Sequence, residues 1–292
     1  MSNEKCDNLF ILLISDIHES TTNLQKVIDY CNSKNLEFDY IFCLGDMVSI
    51  EQGEQDDKTI CSRKEKEIQS MFISLETLPM KNNLIYLPGN HDPSTLYSTC
   101  PPHFTFNSLN LHLKSIKIKE DLLLVGVGGS TCAISSDETL YHSYQNLNTK
   151  NIIRPGYPYI NDMVSPNYEK SDELLKNDLN SLENQINEFN GDVLLITHMG
   201  PFTVNTSNQY LDNKVTYSGS QALNDFILKY ENKIIGNIHG HSHKGVGIGK
   251  LHNTKIFNPG CLNLEYYGFL YLLKNEMTNY KWKINKFELM KV

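Results

Sequence analysis

The chain contains five short apolar runs, and each is followed closely by a residue that can bind a metal ion. The runs and these residues are 9–15 with Asp16, 40–44 with Asp46, 84–87 with Asn90, 193–197 with His198, and 234–238 with His241. In an open α/β sheet the carboxyl ends of the strands converge on one crevice, so ligands that are distant in the sequence meet there. The pattern therefore predicts an α/β fold with a metal site at that edge of the sheet.

The composition argues against two classes of partner. Among the 292 residues, 26 are Lys or Arg and 34 are Asp or Glu, which gives a formal net charge of −8. The charges are spread along the chain without a long block of one sign, whereas surfaces that bind nucleic acids or membranes are usually basic. We expect neither a membrane nor a long nucleic acid as a partner.

The cysteines and the amino-terminal segment predict a cytoplasmic location. The seven cysteines include no Cys-x-x-Cys pair, and an odd set of this kind is typical of reduced thiols in a cytosolic protein. Residues 1–8 are polar, and the apolar stretch after them is too short for a signal sequence or a membrane span. We therefore expect a soluble protein.

The order of predicted elements favours parallel strands joined by helices. Strands are predicted at 9–15, 39–44, 83–87, 193–197 and 234–238, and helices at 21–35, 62–78, 169–190 and 219–230. Shorter, antiparallel strands are predicted at 111–118, 122–127, 254–257, 266–273 and 280–288. Residues 130–168 lack periodicity and are interpreted as a loop insertion or lid, and residues 1–292 as a single domain.

The residues after the apolar runs form motifs suited to holding cations. Asp16-Ile17-His18 and His241-Ser242-His243 each place two ligands at positions i and i+2, which point the same way on an extended backbone. Gly45-Asp46 supplies a carboxylate that can bridge two ions, and Asn90 and His198 add an amide oxygen and an imidazole. This mixture suits manganese, iron or zinc better than calcium, and the absence of cysteine from the motifs argues against a structural zinc site.

These motifs resemble those of the calcineurin-like metallophosphoesterases, which run D-x-H, G-D, G-N-H-[D/E], H and G-H-x-H in this order. All five are present between residues 16 and 243. The resemblance implies a four-layer α/β/β/α sandwich with mixed sheets and a pair of divalent metal ions. It implies the following ligands: Asp16, His18, Asp46 and His243 for one ion, and Asp46, Asn90, His198 and His241 for the other. His91 would be the catalytic side chain.

Departures from the pattern narrow the branch of the family. The Ser/Thr protein phosphatases continue the second block as G-D-x-V-D-R-G, but here Met47, Val48 and Ser49 follow Asp46. Purple acid phosphatases carry a metal-bound tyrosine where this chain has Ser49. The segment Asn258-Pro259-Gly260 matches a short motif of smaller phosphodiesterase branches, where it lies near the metals, although a simple turn is an equally good interpretation.

Other polar residues receive less specific interpretations. Asp92 is predicted to cap a short helix, and His239 to be a hydrogen-bonded histidine at a strand end. The chain has only two arginines, so substrate binding must depend mainly on the metals. Arg154, in the insertion, and Lys244, after the last motif, are candidates for substrate contacts, with solvated side chains as the alternative.

The resemblance implies hydrolysis of a phosphoester by attack of metal-bound hydroxide. A small phosphorylated molecule is the expected substrate, and we slightly prefer a phosphodiester to a phosphomonoester. Two alternatives remain open at this point. One is a catalytically inactive scaffold of the same fold, similar to the retromer scaffold subunit, and the other is a nuclease.

Overall fold

Two mixed six-stranded sheets pack face to face, with helices on their outer faces. The computed structural model describes residues 8–51, 54, 57–131, 134–135, 168–211, 214–275 and 281–292. Within them the helices are α1 (Thr21–Ser33), α2 (Lys58–Leu75), α3 (Tyr168–Ser181), α4 (Glu183–Glu188) and α5 (Gln221–Lys229).

The first sheet combines strands from both ends of the chain. Its strands are β1 (Asn8–Ile14), β2 (Tyr40–Cys43), β3 (Leu84–Tyr86), β4 (Ser108–Asn110), β14 (Tyr266–Asn275) and β15 (Lys281–Lys291). They lie in the order β15-β14-β1-β2-β3-β4. Strands β1 to β4 are parallel, and β14 pairs antiparallel with both β1 and β15.

The middle of the chain forms the second sheet and a small third sheet. Their strands are β5 (Lys114–Lys119), β6 (Leu122–Val127), β7 (Ile134–Ser135), β8 (Asp192–Thr197), β9 (Asn208–Leu211), β10 (Lys214–Tyr217), β11 (Ile234–Ile238), β12 (Gly247–Leu251) and β13 (Thr254–Asn258). The second sheet has the order β12-β13-β11-β8-β6-β5, and the third has the order β7-β10-β9. Strands β6, β8, β11 and β13 run parallel, with antiparallel β5 and β12 at the edges.

Alternate side chains along each central strand point to opposite faces of the sheet, and this alternation produces the layers. In β1, Leu9, Ile11 and Leu13 face the core between the two sheets, whereas Leu12 and Ile14 face the core under α1 and α2. The strands of the second sheet alternate in the same way, with one face toward the core under α3, α4 and α5. Because both faces are covered, these strands consist of nearly continuous apolar residues. The expected four-layer sandwich with mixed sheets is confirmed.

Two predicted boundaries were wrong for identifiable reasons. The helix predicted at 62–78 begins at Lys58 because the carboxylate of Asp57 accepts hydrogen bonds from the first-turn amides of Thr59 (2.8 Å) and Ile60 (3.0 Å). The strand predicted at 111–118 begins only at Lys114, because the chain passes from the first sheet to the second there and Leu113 has a φ of 54°.

Two further elements differ from the predictions. The helix predicted at 169–190 is divided into α3 and α4 at Leu182. The segment after His198, predicted as a loop, contains the hairpin of β9 and β10, which pairs with β7. Most of the predicted insertion at 130–168 lies outside the described residues. None of the helices in the described part of the chain combines the length and apolar character that a membrane span requires.

The start of α2 gives a first prediction. Replacement Asp57→Ala removes the acceptor for two amides of the first helical turn, and we expect the free energy of unfolding to fall by about 0.5–2 kcal/mol. Urea unfolding of the metal-free protein, followed by circular dichroism, measures this change. Asp57→Asn, which retains a capping oxygen, is the matched control, and equal stability of all three proteins would contradict the assignment.

Candidate metal centre

The predicted ligands all lie on loops that leave the carboxyl ends of five parallel strands. Strands β1, β2 and β3 of the first sheet lead to Asp16, Asp46 and Asn90, and β8 and β11 of the second sheet lead to His198 and His241. These loops meet at one end of the sandwich. The predicted convergence of distant residues is therefore observed.

One group of side chains consists of Asp16, His18, Asp46 and His243, whose potential ligand atoms lie within 4.8 Å of one another. The Nε2 atom of His243 lies 3.2 Å from Asp16 Oδ1 and 3.2 Å from Nε2 of His18. Asp16 and Asp46 are fully buried, whereas the two histidines are partly exposed. This group opens toward solvent on its histidine side.

The second group consists of Asp46, His198 and His241, again with ligand atoms within 4.8 Å of one another. Nε2 of His198 lies 3.3 Å from Asp46 Oδ2 and 3.2 Å from Oδ1 of Asn90, which places the predicted amide ligand beside this group. Asp46 belongs to both groups, because its Oδ2 atom is also 3.9 Å from Nε2 of His18. This is the position that a bridging carboxylate requires.

The arrangement of these atoms fits divalent cations. The Nε2 atoms of His18 and His243 face each other at 3.2 Å, a distance at which two nitrogen lone pairs repel unless a proton or a cation lies between them. Among the described residues, Oδ1 of Asp16 has no well-directed hydrogen bond beyond its 3.2 Å approach to Nε2 of His243, although buried carboxylates are normally satisfied. Carboxylate, amide and imidazole groups together favour manganese, iron or zinc.

Hydrogen bonds from outside the two groups orient the histidine rings. Nδ1 of His18 lies 2.9 Å from Ser49 Oγ, and Nδ1 of His198 lies 2.7 Å from the carbonyl oxygen of Leu44. The carbonyl oxygen of Leu44 can only accept, so Nδ1 of His198 carries the proton and Nε2 faces the site, whereas the hydroxyl of Ser49 can donate or accept and fixes only the orientation of the His18 ring. Ser49, which stands where purple acid phosphatases carry a tyrosine, therefore positions the ring of His18.

The backbone at several ligands adopts the left-handed conformation. Asp16, His18, Asp46 and His241 have φ values of 51°, 45°, 51° and 61°. Residues with a Cβ atom rarely adopt this conformation, and its cost of order 1–3 kcal/mol is usually found at functional sites. Sharp turns directly after the strands place these side chains at the edge of the sheet instead of along it.

Close packing of the loops depends on Gly45, which has a φ of 99°. A Cβ atom there would lie 2.5 Å from Nδ1 of His198 and 2.8 Å from the backbone nitrogen of Gly89. Only glycine allows the loop of Asp46 to approach these neighbours so closely. The Gly-Asp motif thus has a steric cause.

The charges form two ion pairs in the metal-free protein. Burial alone would raise the pKa of Asp16 and Asp46, but nearby histidines hold both pKa values well below the ordinary one. Burial opposes protonation of His198 and His243, yet Asp46 and Asp16 raise their pKa values to about 9 and about 10. Burial lowers the pKa of His18, so that imidazole is neutral near pH 7.

His91 lies at the rim of the site, where its ring centroid is 5.3 Å from that of His18. Its side chain is partly exposed, and its backbone amide donates a 2.7 Å hydrogen bond to Oδ1 of Asp46. The ring therefore stands beside the two groups of candidate ligands without belonging to either. A ligand that occupies the centre from the solvent side would contact it.

The prediction that Asp92 caps a helix was wrong. Its carboxylate accepts hydrogen bonds from the backbone amides of Met47 (2.9 Å), Val48 (3.1 Å) and Gly89 (2.8 Å), while the short helix after it has no side-chain cap. Burial, with Asp46 as a second cause, raises the pKa of Asp92 to about 8. Asp92 joins the loops of Asp46 and Asn90 and stands outside the two ligand groups.

His239 is a buried, hydrogen-bonded histidine at a strand end, as predicted. Its Nδ1 and Nε2 atoms lie 2.9 Å from the carbonyl oxygen of Gly240 and 2.9 Å from Thr206 Oγ1. Of the two candidates for substrate contacts, Arg154 lies outside the described residues. Lys244 is exposed directly after His243, and its role stays a prediction.

The sequence analysis missed Cys261. Its sulfur forms a third compact group with His18 and His243, with the three ligand atoms within 4.8 Å of one another. The Asn258-Pro259-Gly260 motif directly before it was the available signal, because that motif was expected near the metals. Cys261 follows the end of β13 by three residues, as His241 follows the end of β11. The strand at 254–257 was predicted to be antiparallel, which was wrong because β13 pairs parallel with β11, so its carboxyl end was not recognised as part of the site.

Comparisons with known proteins identify the fold and the family. No curated protein sequence matches the chain significantly. One solved structure is 17% identical, covers 96% of this chain and 100% of its own, and has a TM-score of 0.60. The crystal structure of a protein from Thermus thermophilus is 15% identical, with coverage of 97% and 98% and a TM-score of 0.55. At these identities the likeness supports a shared fold and nothing finer.

The sequence profile of the calcineurin-like phosphoesterases matches residues 10–245. This range includes strands β2, β3, β8 and β11, all of β1 except its first two residues, and all seven predicted ligands. The chain belongs to the calcineurin-like phosphoesterase family.

Proposed function

We propose that this protein is a metal-dependent phosphoesterase with a dinuclear centre. The observation that supports it most is the buried Asp46 carboxylate, which belongs to two groups of ligands at once. Asp16, His18, Asp46 and His243 would hold one ion, and Asp46, Asn90, His198 and His241 the other. Two such ions, when bound, activate water as a nucleophile and neutralise charge on the phosphoryl oxygens.

His91 is the proposed catalytic side chain. Its ring stands at the rim of the centre, on the side from which a substrate would approach, so it can donate a proton to the leaving oxygen or stabilise charge there. The hydrogen bond from its own backbone amide to Asp46 holds this segment at a fixed distance from the ligands. Asp46 would thus both hold the metal ions and fix the position of the segment that carries His91.

A small phosphorylated molecule is the proposed substrate, with a phosphodiester slightly preferred. Of the two arginines in the chain, Arg63 pairs with Glu67 on α2, and its side chain is 67% exposed. Arginines that grip phosphate in protein phosphatases have no counterpart in the Asp46 motif. The metals would therefore supply most of the attraction for phosphate. The cytoplasmic location of the protein stays a prediction.

An activity assay tests the proposal directly. With manganese, we expect the purified protein to hydrolyse bis-p-nitrophenyl phosphate, p-nitrophenyl phosphate or both, and to lose this activity after treatment with EDTA. Addition of manganese should restore it. The absence of hydrolysis of both compounds, in protein that binds manganese, would favour the inactive scaffold, whereas cleavage of single-stranded DNA alone would favour the nuclease.

The role of His91 gives a second prediction. His91→Ala should lower kcat by about 10²–10⁴-fold, because it removes a proton donor without removing a ligand. Metal content, measured by elemental analysis, should remain that of the unaltered protein. His252→Ala is the control, because that histidine is exposed and pairs with Glu231 away from the centre. Unchanged kcat in His91→Ala would exclude a catalytic role.

The ion pairs predict how metal affinity depends on pH. The ion pairs that raise the pKa values of His198 and His243 stabilise the metal-free protein. Their contribution is fully present below pH 6.5, the ordinary pKa of histidine, and is lost as the pH rises through about 9 and 10. Metal ligation requires neutral imidazoles, so binding near neutral pH should release protons. Titration calorimetry in buffers of different ionisation enthalpy measures this release, and affinity should rise as the pH increases from 6.5 to about 9. Metal binding without proton release would contradict the ion pairs.

A further inference from the structure

We propose that Cys261 is an additional ligand at this centre, and that its sulfur makes the site around His18 and His243 selective for thiophilic metal ions. The inference rests on the proposed metal-dependent function and adds a residue that the family motifs do not contain. It concerns the identity of the preferred ion, for which the ligands described so far leave manganese, iron and zinc open.

The distances bring sulfur into the range of coordination. Zinc bonds are about 2.3 Å long to sulfur and about 2.0–2.1 Å long to imidazole nitrogen, so ligand atoms around one ion lie within about 4.4 Å of one another. The potential ligand atoms of His18, His243 and Cys261 are already within 4.8 Å of one another. Small side-chain shifts therefore suffice for all three to reach one ion.

Burial and hydrogen bonding hold the thiol at this place. Cys261 is fully buried, and its Sγ atom lies 3.2 Å from the backbone oxygen of Asp16, to which the thiol donates. The residue after it docks on the same loop, since the amide of Leu262 donates a 2.9 Å hydrogen bond to the carbonyl oxygen of Ser15. Cys261 therefore lies against the loop that carries Asp16 and His18.

The turn before Cys261 is tied to the loop that carries His243. The side-chain amide of Asn258 donates to the carbonyl oxygen of Ser242 (3.0 Å), and its Oδ1 atom accepts from the amide of Gly260 (2.8 Å). Gly260 has a φ of 85°, and a Cβ atom there would lie 2.7 Å from Cβ of Tyr266. Asn258 thus connects the loop of His243 to the turn that precedes Cys261.

Sulfur changes which ions the site prefers. Thiolate is a soft ligand that favours zinc, iron and cadmium, whereas magnesium and manganese prefer oxygen. On coordination the sulfur–metal bond replaces the S–H bond, and the thiol proton passes to the solvent, so no electron donor or acceptor is needed. The Asp-His set with one sulfur would therefore favour zinc or ferrous iron over manganese.

Cys31 offers a matched control for this role. It is a free, buried cysteine like Cys261, but its side chain lies in the apolar core between the first sheet and α1. Among the described residues, the compact groups of potential metal ligands do not include it. Its replacement should leave metal binding unchanged.

Cobalt binding, read by absorption spectroscopy, tests the proposal. The metal-free protein loaded with Co²⁺ should show sulfur-to-cobalt charge-transfer absorption in the near ultraviolet together with visible d–d bands. Cys261→Ala should lose the charge-transfer band and keep the d–d bands, while Cys31→Ala should keep both. The ratio of zinc to manganese affinity should fall at least about tenfold in Cys261→Ala.

The outcomes separate this inference from the proposed function. Cobalt d–d bands without charge transfer in the unaltered protein would overturn the role of Cys261 and leave the metal centre intact. The absence of any cobalt binding would overturn the proposed function as well. Cys261→Ser, which preserves the hydrogen bond to Asp16 and offers no sulfur, replaces Cys261→Ala if circular dichroism shows that the alanine variant does not fold.

Discussion

The buried carboxylate of Asp46 is the constraint on which this end of the molecule depends. An ionised carboxylate in a protein interior is costly unless charges and hydrogen bonds compensate it. Here the compensation comes from other loops: Nε2 of His198 lies 3.3 Å from Oδ2, and the amide of His91 donates to Oδ1 at 2.7 Å. The loops after β3 and β8 must therefore meet the loop after β2. These contacts fix the position of the first sheet relative to the second at the site.

Local sequence patterns were sufficient for much of the fold and for the grouping of the ligands. Apolar runs predicted the central strands because both faces of those strands are buried, and residue types after the runs predicted which side chains converge. Features that depend on contacts between distant residues could not be predicted from these local patterns. Leu113 marks the crossing between the two sheets, but nothing in its neighbourhood shows where a chain leaves one sheet for another. Asp92 matched a helix-capping pattern, yet it bonds to amides 45 and 44 residues away.

The left-handed backbone is a local cost of placing the site at the edge of the sheet. It occurs at Asp16, His18, Asp46 and His241. A strand that simply continued would direct alternate side chains into the two cores, and the polar groups would be buried without partners. The abrupt turns avoid this and leave the ligands at the sheet edge, at a conformational cost borne by the packing of the apolar layers beneath. At Gly45 the constraint is steric, because the space for its missing Cβ atom is taken by His198. The apolar layers thus supply the stability, and the loops after the strands place the candidate ligands.

The pairing of β1 with β14 has a consequence for how the protein matures in the cell. Strand β1, which leads to Asp16, lies between β2 and a strand that begins at Tyr266, and His18 meets His243 across 225 residues of chain. Contacts of such high sequence separation close long loops and therefore form slowly. A growing polypeptide on the ribosome therefore lacks the complete set of proposed ligands until the second sheet has emerged, and β1 lacks one of its two neighbouring strands until β14 has emerged. With the proposed dinuclear centre, the cations would bind only after these strands have been synthesised, and binding would mark polypeptides that have completed both sheets.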